Sequence, residues 1–137
     1  MLRVLAFDLD DTLAVSKSPI EPEMADLLGR LLDRVEVCII SGGRFEQFDT
    51  QVLRHLDIDD TRRRRLHLMP TCGTRYYRWN GTEWGLVYAE DLAEEDKRRI
   101  IEVLTTGAQA LGLWEPNPWG EIIEDRGSQI TFSALGQ

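Results

Sequence analysis

The sequence predicts an α/β protein that opens on a parallel sheet, and three observations carry that prediction. An almost wholly apolar run, Leu2 to Phe7, ends on Asp8-Leu9-Asp10-Asp11-Thr12. A second apolar run, Val35 to Ile40, ends on Ser41-Gly42-Gly43, and residues at helical spacing separate the two. Short apolar runs alternating with amphipathic helices are the pattern of βαβ units, whose strands are buried on both faces and joined by right-handed crossovers.

Taken in order, Leu2 to Phe7 is the first strand, expected to be covered on both faces. Pro19 and Pro22 flank the start of a helix in which Met24, Leu27, Leu28, Leu31 and Leu32 recur at helical spacing. Val35 to Ile40 is the second strand. Phe45, Phe48, Val52, Leu53 and Leu56 form the apolar stripe of the next helix, and Leu66 to Met69 is a shorter third strand. Asn80-Gly81, between Thr74 to Trp79 and Glu83 to Tyr88, is a strong hairpin signal. From Glu90 the character changes: a long amphipathic helix is expected from Ala93 to Leu111, weakened in the middle by Thr105, Thr106 and Gly107. Two strands, Trp119 to Ile123 and Gln129 to Ala134, follow around the turn Arg126-Gly127-Ser128. The expected division is therefore a core portion with its hairpin at 1–89 and a partial α/β cap at 90–137.

With 137 residues and a formal charge of −8, at a pI of about 4.7, the chain has no general attraction to nucleic acid or an anionic membrane. An anionic substrate would have to be held by local donors and metal. Cys38 and Cys72 match no zinc pattern, and a reducing, cytoplasmic setting is the simpler reading. Leu2 to Phe7 is too short for a signal peptide or a membrane span.

The chemistry concentrates at the end of the first strand. Side chains alternate along a strand, so Asp8 and Asp10 project to one side while Leu9 points away. Strand ends of this kind open into the crevice where α/β sheets bind ligands. Paired carboxylates there suit a hard cation such as Mg²⁺ and leave one carboxylate able to attack phosphorus. The plain alternative is that Asp10, Asp11 and Thr12 cap a turn.

This segment, a hydrophobic strand running into Asp-x-Asp-x-Thr, resembles the first signature of the haloacid dehalogenase (HAD) superfamily of phosphatases and phosphotransferases. The resemblance implies a HAD-like Rossmannoid core and Mg²⁺ as cofactor, bound by Asp8 and Asp10. It makes Asp8 the nucleophile that forms an aspartyl-phosphate and Asp10 the acid and base. Thr12 holds the loop and is counted with the phosphate-binding residues. Ser41 matches the Ser or Thr that bonds the transferring phosphoryl group at the end of the second strand. Gly42 and Gly43 let the backbone approach closely, and the following helix start favours an anion. Alone, Ser-Gly-Gly is an ordinary turn; one helix and one strand after the first signature, it is read as functional.

Helix and hairpin after the third strand resemble the start of the type IIB cap of the phosphomannomutase-like and sugar-phosphatase branch. Ile122 to Gln137 is similar to a phosphomannomutase cap segment whose arginines grip a distal phosphate, a role that falls here to Arg126. Where those mutases carry another arginine this chain has Gln137, and an amide lacks the bidentate charged grip of a guanidinium. Asp11 and Ser41 also depart from the mutase pattern, so hydrolysis of a sugar phosphate is expected ahead of mutase activity.

Arg62 to Arg65 read as a solvated loop. His55 and His67 receive no role, and the four tryptophans pack the hairpin and cap. The superfamily's later Lys and its acidic pair within Gly-Asp-x-x-x-Asp do not occur before Gln137. The sequence is accordingly expected to be the N-terminal part of a protein of roughly 250 residues. Two partners are expected for an open sheet edge, a missing C-terminal half or a second copy in a homodimer. Two kinds of function follow: a Mg²⁺-dependent phosphatase of a small phosphorylated metabolite, or a non-catalytic lobe that binds a partner.

Overall fold

The structure, a computed structural model, describes residues 3–136; Leu2 of the predicted first strand and Gln137 lie outside them. Two compact units are formed, Met1–Ala89 and Glu90–Gln137.

The first unit is a five-stranded sheet in the order β1-β2-β3-β4-β5. Strand β1 (Val4–Phe7) leads through helix α1 (Pro22–Leu31) to β2 (Glu36–Ile40), which pairs with it in parallel, Phe7 opposite Ile39. Helix α2 (Phe45–Gln51) and the short helix α3 (Asp60–Arg63) then lead to β3 (Leu66–Met69), parallel to β2 with Ile40 opposite Met69. Strands β4 (Arg75–Trp79) and β5 (Trp84–Ala89) close the sheet as an antiparallel hairpin. Its loop turns on Gly81 at φ +111°, and the Asn80 side-chain oxygen accepts from the Thr82 and Glu83 amides.

Alternation assigns the two faces. Val37, Ile39, Leu66 and Leu68 form one core cluster with Leu28 and Leu32 from the α1 region and with Phe48 and Val52 from the α2 region. The opposite face carries Glu36, Cys38 and His67. There His67 Nε2 lies 3.0 Å from the Glu36 carboxylate and Nδ1 lies 2.7 Å from the Tyr76 hydroxyl, tying β2, β3 and β4 together. Strand β1 is not covered on both faces as expected: Val4 is 46% exposed and Ala6 is exposed. The strand pairs only with β2, at the edge of the sheet, and among the described residues no helix layer covers the Val4 and Ala6 side.

Two further expectations are corrected. The predicted second helix stops at Gln51, because the Gln51 carbonyl accepts the Ile20 amide at 2.8 Å; a 3₁₀ turn, Leu53–His55, follows. The basic run is no free loop. Asp59 caps α3 by accepting the Arg62 amide, Arg65 donates to the Leu32 and Asp33 carbonyls, and Arg63 lies 4.8 Å from the Trp79 ring centre. Arg62 grips both oxygens of Asp33 at 2.8 and 2.9 Å.

That hydrogen bond to Arg62 holds the Asp33 carboxyl below its ordinary value. A lowered carboxyl contributes stability that is present above the unfolded-state pKa, about 3.9, and is lost as pH falls through the folded-state value. Urea midpoints measured against pH should therefore fall less steeply below about pH 4 in Asp33→Asn than in the parent chain. Equal slopes would show that the pair is too well solvated to matter.

In the second unit, helix α4 (Glu94–Ala110) begins with Glu94, Glu95 and Asp96, acids that complement the positive end of the helix dipole. Lys97 bonds both Glu94 and Asp125, which raise its pKa. Strands β6 (Ile123–Asp125) and β7 (Ile130–Phe132) pair antiparallel, with Asp125 opposite Ile130. Strand β7 is shorter than expected, and β6 is displaced, beginning at Ile123 where the expected strand Trp119 to Ile123 ends. Ahead of β6 the Trp119 amide still donates to the Leu135 carbonyl at 2.9 Å, and the Trp119 ring is 87% exposed.

Candidate active site

Parallel pairing brings Asp8 and Ser41, two of the predicted site residues, to one end of the sheet together with Thr71, which was not among them. Phe7 pairs with Ile39 and Ile40 with Met69, so Asp8, Ser41 and Thr71 all emerge just beyond neighbouring strand ends. Leu9 is fully buried and anchors the acidic loop. Its carbonyl accepts the Leu13 and Ala14 amides at 3.0 and 3.1 Å, coiling the loop through Thr12. Asp11 bends the chain at φ +58° and Lys17 at +57°. Left-handed backbone is costly for residues with a side chain, and Asp11 is secured by its carboxylate, which accepts the Ser16 amide at 3.1 Å.

Asp8 and Asp10 differ in their surroundings. Asp8 is exposed and takes part in no hydrogen bond or ion pair among the described residues. Asp10 is half-buried, and N–H donors face both of its oxygens. Gln47 Nε2 donates to Oδ2 at 2.9 Å, while the Lys17 amide and Gln51 Nε2 donate to Oδ1 at 3.0 and 3.3 Å. The two glutamines were not found from the sequence; their spacing of four residues on one helix face, after a Ser-Gly-Gly turn, was the available signal.

Ser41 is 7% exposed at the end of β2. Its amide donates to the Met69 carbonyl at 3.3 Å, and its carbonyl accepts the Cys72 amide at 2.9 Å. The two glycines after it are not equivalent. A Cβ on Gly42 would sit 3.7 Å from Cys72 Sγ, an ordinary contact, whereas one on Gly43 would overlap the Gln47 amide. A side chain at Gly43 would therefore displace the Gln47 amide from its present position. Thr71 and Cys72 adopt φ +50° and +56° against this turn, and the Thr71 amide donates to the Gly43 carbonyl at 2.9 Å. Cys38 lies on β2, where burial pushes its thiol up in pKa, unlike a reactive thiolate.

The donor set meets Mg²⁺ only in part. Asp8 supplies hard, unengaged oxygens, but both Asp10 oxygens already accept N–H groups. No group of three or more His, Cys, Asp or Glu side chains that could hold a metal occurs among the described residues. In the second unit the Arg126 guanidinium, expected to grip a phosphate, donates to Glu124 Oε2 at 2.8 Å from Nε and 2.6 Å from Nη2.

No family model matches the sequence, and no curated protein matches it. Solved structures do. The chain is similar to the IMP-nucleotidase of Plasmodium falciparum, with a TM-score of 0.67 and 16% identity over 94% of this chain and 38% of that one. A phosphatase of the HAD superfamily from Bacteroides thetaiotaomicron gives a TM-score of 0.56 and 16% identity over 82% of this chain and 37% of that one. A haloacid dehalogenase-like hydrolase from B. subtilis gives 0.59 and 21% over 77% and 34%. The chain thus spans less than two fifths of the length of each of these structures. The sheet order of the first unit, with the acidic loop at the carboxyl end of β1, and the likeness to these structures give this chain the fold seen in haloacid dehalogenase-like hydrolases.

Proposed function

We propose that the protein is a phosphatase of small phosphorylated metabolites that works through a phosphorylated Asp8. The observation that carries this reading is the contrast between the two carboxylates, one exposed and unengaged, the other fixed two residues away by N–H donors. An Asp8 oxygen attacks phosphorus as the bond to the leaving oxygen breaks, and Asp10 gives that oxygen its proton. The product is an acyl phosphate on Asp8. Water then attacks phosphorus and loses a proton to Asp10, the bond to Asp8 breaks, and inorganic phosphate leaves. Ser41, at the end of β2, would hydrogen-bond the transferring group. Mg²⁺ would neutralise charge between Asp8 and the phosphate; the described residues hold too few acidic ligands to complete its shell.

Sugar phosphates are the substrate class favoured by the cap resemblance, and nucleoside monophosphates join them through the name of the Plasmodium neighbour. Hydrolysis is favoured over mutase chemistry because Asp11 and Ser41 depart from the mutase pattern and Gln137 stands where those mutases carry an arginine. The test is Mg²⁺-dependent phosphate release from sugar phosphates, nucleoside monophosphates and an aryl phosphate. Ser41→Ala should lower the rate by about 10²-fold, the usual loss for one donor to a charged transition state. Release from no class, or release indifferent to Ser41, overturns the reading.

A further inference from the structure

We propose that Gln47 and Gln51 are positioning residues for Asp10, and that Gly43 is glycine so that Gln47 can reach it. The inference rests on the phosphatase reading of Asp8 and Asp10. Residues four apart on a helix share a face, and here both amides point to one carboxylate: Gln47 Nε2 to Oδ2 at 2.9 Å, Gln51 Nε2 to Oδ1 at 3.3 Å. A donor on each oxygen fixes the rotation of the carboxylate as well as its place. Such orientation decides the rate of a proton transfer, because a general acid must lie within hydrogen-bond reach of the leaving oxygen.

Three features separate this arrangement from ordinary packing. Gln51 is only 3% exposed, and its Nε2 also donates to the Ser18 carbonyl at 2.7 Å. A carbonyl can only accept, so Ser18 dictates which end of the amide faces Asp10. The consequence is that Gln51 Oε1 is buried without a hydrogen-bond partner. A lone buried acceptor destabilises the fold, and a leucine or methionine would avoid it. Then there is Gly43. Its φ lies outside the left-handed region, so its backbone admits any side chain, yet a Cβ would overlap the Gln47 amide. The glycine answers to Gln47 and not to the turn.

The test uses the intact chain with two readouts. In turnover, Gln47→Leu and Gln51→Met should each lower kcat by about tenfold with KM within about twofold, as misplacement of a reacting group costs rate more than binding. Gly43→Ala should reproduce the Gln47→Leu loss and add nothing to it in the double variant. In ¹⁵N NMR, the side-chain amide resonances of Gln47 and Gln51 should move on Asp10→Asn and stay in place on Asp26→Asn. Unchanged kcat in the glutamine variants, or amide resonances indifferent to Asp10→Asn, overturns the proposal. If phosphate release survives Asp8→Asn, the assignment of Asp8 as nucleophile falls instead, and the amide resonances alone decide whether the glutamines hold Asp10.

Discussion

Asp8→Asn is expected to lower phosphate release by on the order of 10³-fold or more, the scale of losing a covalent nucleophile, with the melting temperature unchanged. The two halves of that expectation have separate causes. An amide oxygen carries no full negative charge and forms no stable phosphoryl ester, so the first chemical step loses its nucleophile. Stability is spared because Asp8 is exposed and holds no partner among the described residues, and asparagine has nearly the same shape. Substitutions at such surface positions change stability by about 0.5 kcal/mol or less. Phosphate assays with thermal melts on the same preparation check both halves. Full turnover in Asp8→Asn would move the nucleophile elsewhere; lost turnover with a collapsed melt would say only that the loop had unfolded.

What the sequence revealed of this site depended on locality. Asp8, Asp10 and Ser41 were legible because each lies at a strand end that its own apolar run defines, and parallel pairing then had to bring those ends together. The β4–β5 hairpin was legible because Asn80-Gly81 carries its own turn chemistry. Gln47 and Gln51 were not, since a glutamine on an amphipathic helix looks like any solvated residue until the loop from Asp10 to Ile20 folds back on α2. The same holds for Glu36, His67 and Tyr76, which meet across three strands. Arg62 was misread for a related reason: its partner Asp33 lies 29 positions away. The end of α2 at Gln51 was hidden too, because it depends on a carbonyl captured by Ile20 and not on a glycine or proline in the chain. Periodicity reports which residues face inward; it does not report which polar groups outside the helix will take its hydrogen bonds.

Phe48→Ala should cost about 3–5 kcal/mol, the range for deleting a buried aromatic ring. Phe48 is fully buried, and among the fully buried side chains it is the largest. It belongs to the cluster of Leu28, Leu32, Ile39, Val52 and Leu68, contributed by both helices and the covered face of the sheet, so the void would open where three elements meet. Those neighbours are held by strand pairing and helix packing and can collapse only partly into the space. A domain of this size is stable by only about 5–15 kcal/mol, so a loss of this order is a large share of the whole. Urea unfolding should show a much lower midpoint, while Val87→Ala on the exposed part of β5 stays within about 0.5 kcal/mol. The site should respond as well. Phe48 lies between Gln47 and Gln51 on α2, so a helix that rocks into the vacated volume carries both amides away from Asp10. Turnover in Phe48→Ala, measured well below its melting temperature, should fall with little change in KM. A chain with an unmoved midpoint would mean that α2 is held by contacts other than its aromatic ring.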